Sequence, residues 1–335
     1  MKTHLIHRLL GGLVLSFAAT AAGSVAAADL TVYTYQSFVT EWGPGPGLQQ
    51  RFEARCGCRI EFVGADDGVA LLNRLRLEGA ATRADVVVGL DDSLMADARA
   101  LGLVQPHRLD LEALPLAPVL AWSDADFIPF DYGFFAFIYD AERTPAPARS
   151  FAELLAGDAR VIYQDPRTST PGLGLVHWMK AVHGDAATEA WRQLAARTVT
   201  VTGGWTEAYG MFLKGESDYV LSYTTSPAYH RLMEQTERYR AAEFAEGHVA
   251  QVEVAAIGAH ARNPDLARSF LAFLLEPDAQ ALIPVTNWML PVRTDVALPP
   301  AFAELAQPRR IGFDPATMGA HRQAWVREWR NAVAR

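Results

Sequence analysis

Apolar positions along the chain alternate between short continuous runs and spacings of three and four, with Gly/Pro-rich turns between them. Residues 30–35 read as a strand. A Gly/Pro loop, Trp42-Gly43-Pro44-Gly45-Pro46, then leads into a helix ending near Gly57. Residues 59–63 form a second strand, Asp66-Asp67-Gly68 a turn, and 69–77 a helix with apolar residues at helical spacing. The stretch 84–89 is almost wholly apolar, as suits a parallel strand covered on both faces, and Asp91 or Asp92 starts another helix. Strand–helix alternation of this kind predicts an α/β domain.

Residues 127–140 break the rhythm: Phe-Ile-Pro-Phe-Asp-Tyr-Gly-Phe-Phe-Ala-Phe-Ile-Tyr-Asp is long, extended and aromatic. A second series follows. Ser150-x-x-Glu153 reads as a capping box for a short helix. Strands are expected at 161–164, 199–202 and 219–223, with helices after Thr170-Pro171, over 186–197 and over 206–214. A second extended stretch, 248–257, precedes helices at 264–275 and 277–282. The last segment, 315–335, is amphipathic; Trp325 and Trp329, one turn apart, mark its packing stripe. Two series joined by two long extended segments predict two lobes threaded twice by the chain. Lobe 1 takes 29–127 plus 257–305 and lobe 2 takes 128–256 plus 306–335, with hinge crossings near 127–140 and 246–257.

Composition narrows the function. The 335 residues are half hydrophobic, enough for real cores, and the net charge of −8 argues against a nucleic-acid partner. Lys2 and Arg8, an apolar run over 9–22 and Ala26-Ala27-Ala28 have the grammar of a secretory signal peptide, cleaved after Ala28; residues 1–28 are set aside on that basis. The run is shorter than the roughly 20 residues of a membrane span. The expected product is a soluble, exported monomer. Export places Cys56-Gly57-Cys58 in an oxidising setting, where a tight disulfide and two ordinary thiols both remain open; the spacing suits neither a zinc site nor a C-x-x-C redox pair.

Ligands of open α/β sheets bind beyond the carboxyl ends of the strands. The turns there are Tyr35-Gln36-Ser37, Asp67-Gly68, Ser169-Thr170-Pro171-Gly172, Gly203-Gly204-Trp205-Thr206 and Tyr223-Thr224-Thr225-Ser226-Pro227. Two of them read as a Ser/Thr cap with Pro at the first helical position, which leaves N–H groups for an anion. Helix capping explains each hydroxyl by itself. Trp205 has no helical stripe to join, however, and Tyr35 and Tyr223 end strands on the same edge, so an aromatic cleft for a flat, phosphorylated or cationic molecule is expected. No G-x-S-x-G, H-E-x-x-H or Walker loop is present, and the nine histidines lack metal-ligand spacing, so neither a catalytic constellation nor a metal site is expected.

Seven stretches carry a resemblance: Leu-Thr-Val-Tyr-Thr-Tyr (30–35), Trp-Gly-Pro-Gly-Pro (42–46), Asp-Gly-Val (67–69), Phe-Asp-Tyr-Gly (130–133), Val-Ile-Tyr-Gln-Asp-Pro-Arg-Thr-Ser-Thr-Pro-Gly-Leu-Gly-Leu (161–175), Leu-Ser-Tyr-Thr-Thr-Ser-Pro-Ala-Tyr-His (221–230) and Asn-Trp-Met (287–289). Across essentially the whole mature chain the sequence resembles the periplasmic thiamine-binding components of ABC importers, and the Cys-x-Cys pair is similar as well. The resemblance implies a type II periplasmic-binding-protein fold, α/β in class. Its ligand would be thiamine, thiamine monophosphate or thiamine diphosphate, with no cofactor. Its partners would be an inner-membrane permease and a cytoplasmic ATPase. It carries ligand contacts onto Asp67, Gly68, Ser169, Thr170, Trp205, Tyr223, Thr224, Thr225 and Ser226, and further aromatic walls onto Tyr35, Trp42, Tyr229 and Trp288. Two other classes stay in view: a same-fold carrier of ferric ion or polyamine, and an enzyme resembling thiaminase I, which shares the architecture and uses a cysteine nucleophile.

Overall fold

The computed structural model describes residues 29–120 and 122–334; the expected signal peptide and its expected cleavage after Ala28 lie outside the described residues. Its first half runs β1 (Leu30–Tyr35), α1 (Gln36–Val39), α2 (Pro44–Cys56), β2 (Ile60–Ala65), α3 (Gly68–Glu78), β3 (Val86–Asp91), α4 (Met95–Ala100), β4 (Val104–Gln105) and β5 (Phe127–Asp140). Then come α5 (Phe151–Ala156), β6 (Val161–Gln164), α6 (Thr170–His183), α7 (Ala187–Ala195), β7 (Thr198–Thr202), α8 (Trp205–Leu213), β8 (Tyr219–Tyr223), α9 (Ser226–Met233), β9 (Tyr239–Ala241) and β10 (His248–Gly258). The chain ends with α10 (Pro264–Leu274), α11 (Pro277–Gln280), a π-turn (Ile283–Asn287), β11 (Leu290–Pro291), β12 (Arg310–Ile311) and α12 (Pro315–Val333).

The strands form one curled sheet in the order β2-β1-β3-β10-β5-β8-β6-β7. β1 runs parallel to β2 and β3, and β6 parallel to β7 and β8, as βαβ connections require. Between these parallel groups β10 and β5 lie antiparallel to each other and to their outer neighbours. Both long strands serve two hydrophobic cores. The β5 residues Phe127, Ile128 and Phe130 enter the first core, with β1, β3, α3 and α10, whereas Phe135, Phe137 and Tyr139 enter the second, with α5, α6, α7 and α12. In β10 the change falls between Val249 and Val252. Trp178, Trp191, Trp325 and Trp329 all fill the second core, the last two as the stripe at the C-terminus predicts.

Local departures have local causes. The stretch expected as a Gly/Pro loop is already helical from Pro44, because a proline needs no N–H partner in the first turn. Ser150 accepts from Glu153 N at 3.1 Å, but the Glu153 carboxylate turns to Arg149 N at 2.8 Å, so the capping box is half made. Ser169 precedes α6 without capping it, and Thr225 precedes α9 likewise; Thr170 and Ser226, not proline, open those helices, with Pro171 and Pro227 second. Cys56 and Cys58 are joined as a disulfide where α2 ends, and Gly57 between them takes φ +65. Among the described residues no helix is long and apolar enough to cross a membrane.

Candidate functional site

A cavity of about 560 Å³ opens where the carboxyl ends of β1 and β3 face the starts of α6 and α8 and the β8–α9 turn. Tyr35, Trp42, Asp67, Thr170, Trp205, Tyr223, Ser226, Tyr229 and Trp288 all line it. Its walls are aromatic. Trp205 stacks on Tyr209 with ring centroids 4.9 Å apart and planes 22° apart, while Tyr229 and Trp288 meet edge to face at 5.1 Å and 85°. Trp42 stands at the mouth, nearly half exposed. Trp288 closes the π-turn in the left-handed region, φ +57, a strained setting for an aromatic residue at the cavity wall.

Polar bonds hold these rings in place. Trp205 Nε1 donates to Ser222 Oγ at 2.7 Å, and Ser222 is in turn 2.7 Å from Ser226 Oγ. Thr170 Oγ1, at the cavity wall, is buried without a hydrogen-bond partner. Asp67 is buried and saturated. Its Oδ1 accepts from Gly68 N (2.7 Å) and Thr170 N (3.2 Å), and its Oδ2 from Ser169 Oγ (2.7 Å) and Trp205 N (3.3 Å). Burial pushes this carboxyl up, and the four donors act against the rise. Because three donors come from the starts of α6 and α8, Asp67 joins the two sides of the cavity.

The other sequence-derived positions lie behind the wall. A Cβ on Gly68 would collide with Thr170 Oγ1 and stand 2.7 Å from Gly89 O, so the glycine permits the close approach of α3 to α6. Ser169 is fully buried against Asp67; Thr224 N donates to Phe134 O at 2.9 Å, and Thr225 packs on Met289. None of these four residues is part of the cavity lining.

Sequence reasoning missed the cavity floor. Tyr35 Oη donates to Glu253 Oε2 at 2.9 Å and lies 3.1 Å from Asn287 Oδ1, while Asn287 Nδ2 donates to Asp131 Oδ2 at 2.6 Å. On the other side Gln251 Nε2 donates to Glu253 Oε1 at 3.0 Å, and its Oε1 accepts from Tyr223 Oη at 2.6 Å. One continuous network therefore runs from Asp131 to Tyr223. Glu253 stands opposite Asp131 in the β10–β5 register and opposite Asp91 in the β10–β3 register, which sets three carboxyls in a row across the sheet. Burial first, then mutual repulsion, raises Glu253 well above the carboxylate range; burial pushes Asp131 up to about 8 and Asp91 to about 6. A signal was there: Gln251 and Glu253, two residues apart, and Asp131 interrupt otherwise apolar strands. Among the described residues no group of three or more His, Cys, Asp or Glu has the geometry to hold a metal ion.

Two lobes of sheet and helix around an aromatic cleft define a carrier of small solutes, and the comparisons agree. Residues 48–308 match the family of bacterial extracellular solute-binding proteins. The chain belongs to that family. Over 318 residues it is 53% identical to the thiamine-binding periplasmic protein of Salmonella typhimurium, covering 94% of this chain and 96% of the relative. A solved periplasmic thiamin binding protein superposes with a TM-score of 0.88 at 53% identity, covering 91% of this chain and 96% of the other. The ferric binding protein from Campylobacter jejuni shares the fold alone, with a TM-score of 0.75 at 17% identity over 91% and 99% of the two chains.

Proposed function

We propose that this protein binds thiamine and its mono- and diphosphate esters in the periplasm and delivers them to an inner-membrane permease driven by a cytoplasmic ATPase. The observation that carries the reading is the 53% identity, along 94% of the chain, to a relative named as thiamine-binding and periplasmic. The chemistry of the cavity supports it. Thiamine presents two flat rings, a fixed positive charge and an alcohol or phosphate tail. Tyr229 and Trp288 offer ring faces and edges for stacking and cation–π attraction, worth ~0.5–2 kcal/mol. The unpartnered Thr170 Oγ1 and the Ser226 hydroxyl, both at the cavity wall, suit the tail.

In this reading the protein works as a monomer without a cofactor, exported with cleavage after Ala28. The lobes are 29–127 plus 257–305 and 128–256 plus 306–335, and they close about crossings near 127–140 and 246–257. Binding and closure are one equilibrium, because a ligand touching both lobes favours the closed state. We read the protein as a carrier and not an enzyme, since a thiaminase-like reaction needs a nucleophilic thiol in the cavity. Cys56 and Cys58 are bonded to each other at the end of α2 and do not line it.

The test is a titration with thiamine, both phosphates and 4-amino-5-hydroxymethyl-2-methylpyrimidine, followed by tryptophan fluorescence. Saturable binding of thiamine with no cleavage products is the expected result. Binding of none of these ligands overturns the thiamine assignment, and release of free pyrimidine and thiazole products overturns the carrier reading.

A further inference from the structure

The floor of the cavity contains more buried acid than its hydrogen bonds require. Glu253 reaches the cavity, and both of its oxygens already accept, from Tyr35 Oη and Gln251 Nε2. Directly behind it in the register, Asp131 is fully buried; Oδ2 accepts from Asn287 Nδ2 and Oδ1 has no partner. Two carboxylates side by side in a desolvated floor repel strongly, so one of them carries a proton in the empty protein. The donor pattern says which. Burial raises both carboxyls, but the donors on the two Glu253 oxygens act against that rise and favour its charged form, whereas the orphaned Asp131 Oδ1 gives its charged form no such support and leaves the proton there.

We propose that Glu253 is the counter-ion for a cationic group of the ligand, and that the Asp131–Glu253 pair releases its proton when that cation enters the cavity. The inference rests on the thiamine reading, whose thiazolium supplies the charge. A cation above Glu253 offsets the repulsion between the two carboxyls. The Asp131 O–H bond then breaks, its electron pair stays on the carboxylate, and the proton passes to solvent. The other groups facing Glu253 fit this account. Asp91 on β3 and Asp67 at the start of α3 add negative potential, and Tyr35 and Tyr223 are neutral phenols raised first by burial and then by neighbouring carboxylates. Arg322 and Arg310 act on Asp91 and Asp92 respectively. The floor therefore discriminates by charge, where the aromatic walls discriminate by shape.

Calorimetry of thiamine binding at pH 7, in two buffers of different ionisation enthalpy, counts the protons released. The wild-type protein is expected to release a measurable fraction of one proton, with affinity rising as pH is raised from 6.5 to 8.5. Glu253→Gln, close to isosteric, is expected to abolish the release and weaken thiamine about ten- to hundredfold. The neutral 4-amino-5-hydroxymethyl-2-methylpyrimidine should change by less than about threefold. Asp131→Asn is the second variant: it too loses the release, yet holds thiamine at pH 8 within about threefold of wild type, because Glu253 keeps its charge. Thiamine binding without proton release, or an unchanged affinity and pH profile in Glu253→Gln, overturns the proposal and leaves the thiamine reading standing. A folded wild-type protein, judged by its thermal transition, that binds no thiamine overturns both.

Discussion

Ser169 donates its hydroxyl to Asp67 Oδ2 at 2.7 Å, tying the start of α3 to the start of α6 across 102 positions of the chain. Gly68 N, Thr170 N and Trp205 N complete the same carboxylate, and Ala70 N donates to Thr168 O at 2.8 Å beside it. The two sides of the cavity are thus held together at one edge by a buried acceptor.

Asp67→Ala strands four donors, Gly68 N, Thr170 N, Ser169 Oγ and Trp205 N, each costing about 1–3 kcal/mol if it stays dry. Thiamine affinity is expected to fall at least about tenfold, and the ligand-free thermal midpoint to drop with it. Calorimetric titration and a thermal melt check both, and Asp67→Asn, which keeps one acceptor, should fall between.

Trp205→Ala removes a ring stacked on Tyr209 and leaves Ser222 Oγ without its indole donor. Loss of an aromatic anchor of this kind costs about 2–4 kcal/mol of binding. An affinity for thiamine unchanged by calorimetry would remove Trp205 from the site.

Gly68→Ala places a methyl group against Thr170 Oγ1 and Gly89 O. The expected effect is on closure: α3 is pushed from α6, ligand affinity falls, and each core melts near its wild-type temperature. A crystal structure of the variant, or scattering with and without ligand, would read the displacement.

Stability should respond to pH in two opposing windows. Asp131, pushed up to about 8 by burial, binds its proton in the fold at pH values where the unfolded chain does not. Its contribution is present below about pH 4 and is lost as pH rises through 8, at up to about 1.4 kcal/mol per unit. Buried His177, held down to about 3, does the reverse: its contribution is present above about 6.5 and is lost as pH falls toward 3. Urea melts at pH 5, 6, 7 and 8 should show a flatter profile above pH 6.5 for Asp131→Asn, whereas His177→Gln, which removes the opposing slope, should make stability fall with rising pH already between pH 5 and 6.5.

The Cys56–Cys58 disulfide closes only a very short loop, so its reduction is expected to cost about 1–2 kcal/mol of stability. Thiamine affinity should be unchanged with dithiothreitol present, because neither residue lines the cavity.

Much of the architecture is legible in the chain. The strands at 30–35, 127–140, 161–164 and 219–223 appear where the apolar pattern puts them, and Trp178, Trp191, Trp325 and Trp329 are core as their helical positions imply. The strand-end turns also come together around one cavity, because parallel strands bring their carboxyl ends to the same edge. Ser169 is the instructive difference. As a residue before a Thr-Pro helix start it reads as a cap, yet a buried carboxylate from another element takes its hydroxyl. Capping is a local preference worth about 1 kcal/mol, and it yields to a desolvated charge that needs donors.

The sequence by itself determined what depends on neighbours in the chain: the alternation of strand and helix, the turns that end β1, β8 and β6, and the aromatic residues placed in or beside them. Tertiary structure alone decided the row of Asp91, Glu253 and Asp131 and the network joining it to Tyr35, Asn287, Gln251 and Tyr223. Those carboxyls belong to three strands far apart in the chain, and only the register of β10 between β3 and β5 makes them adjacent. Their chemistry follows from that adjacency, because a buried carboxyl's charge is governed by its solvent exclusion and its nearest charged neighbours, wherever in the sequence they lie.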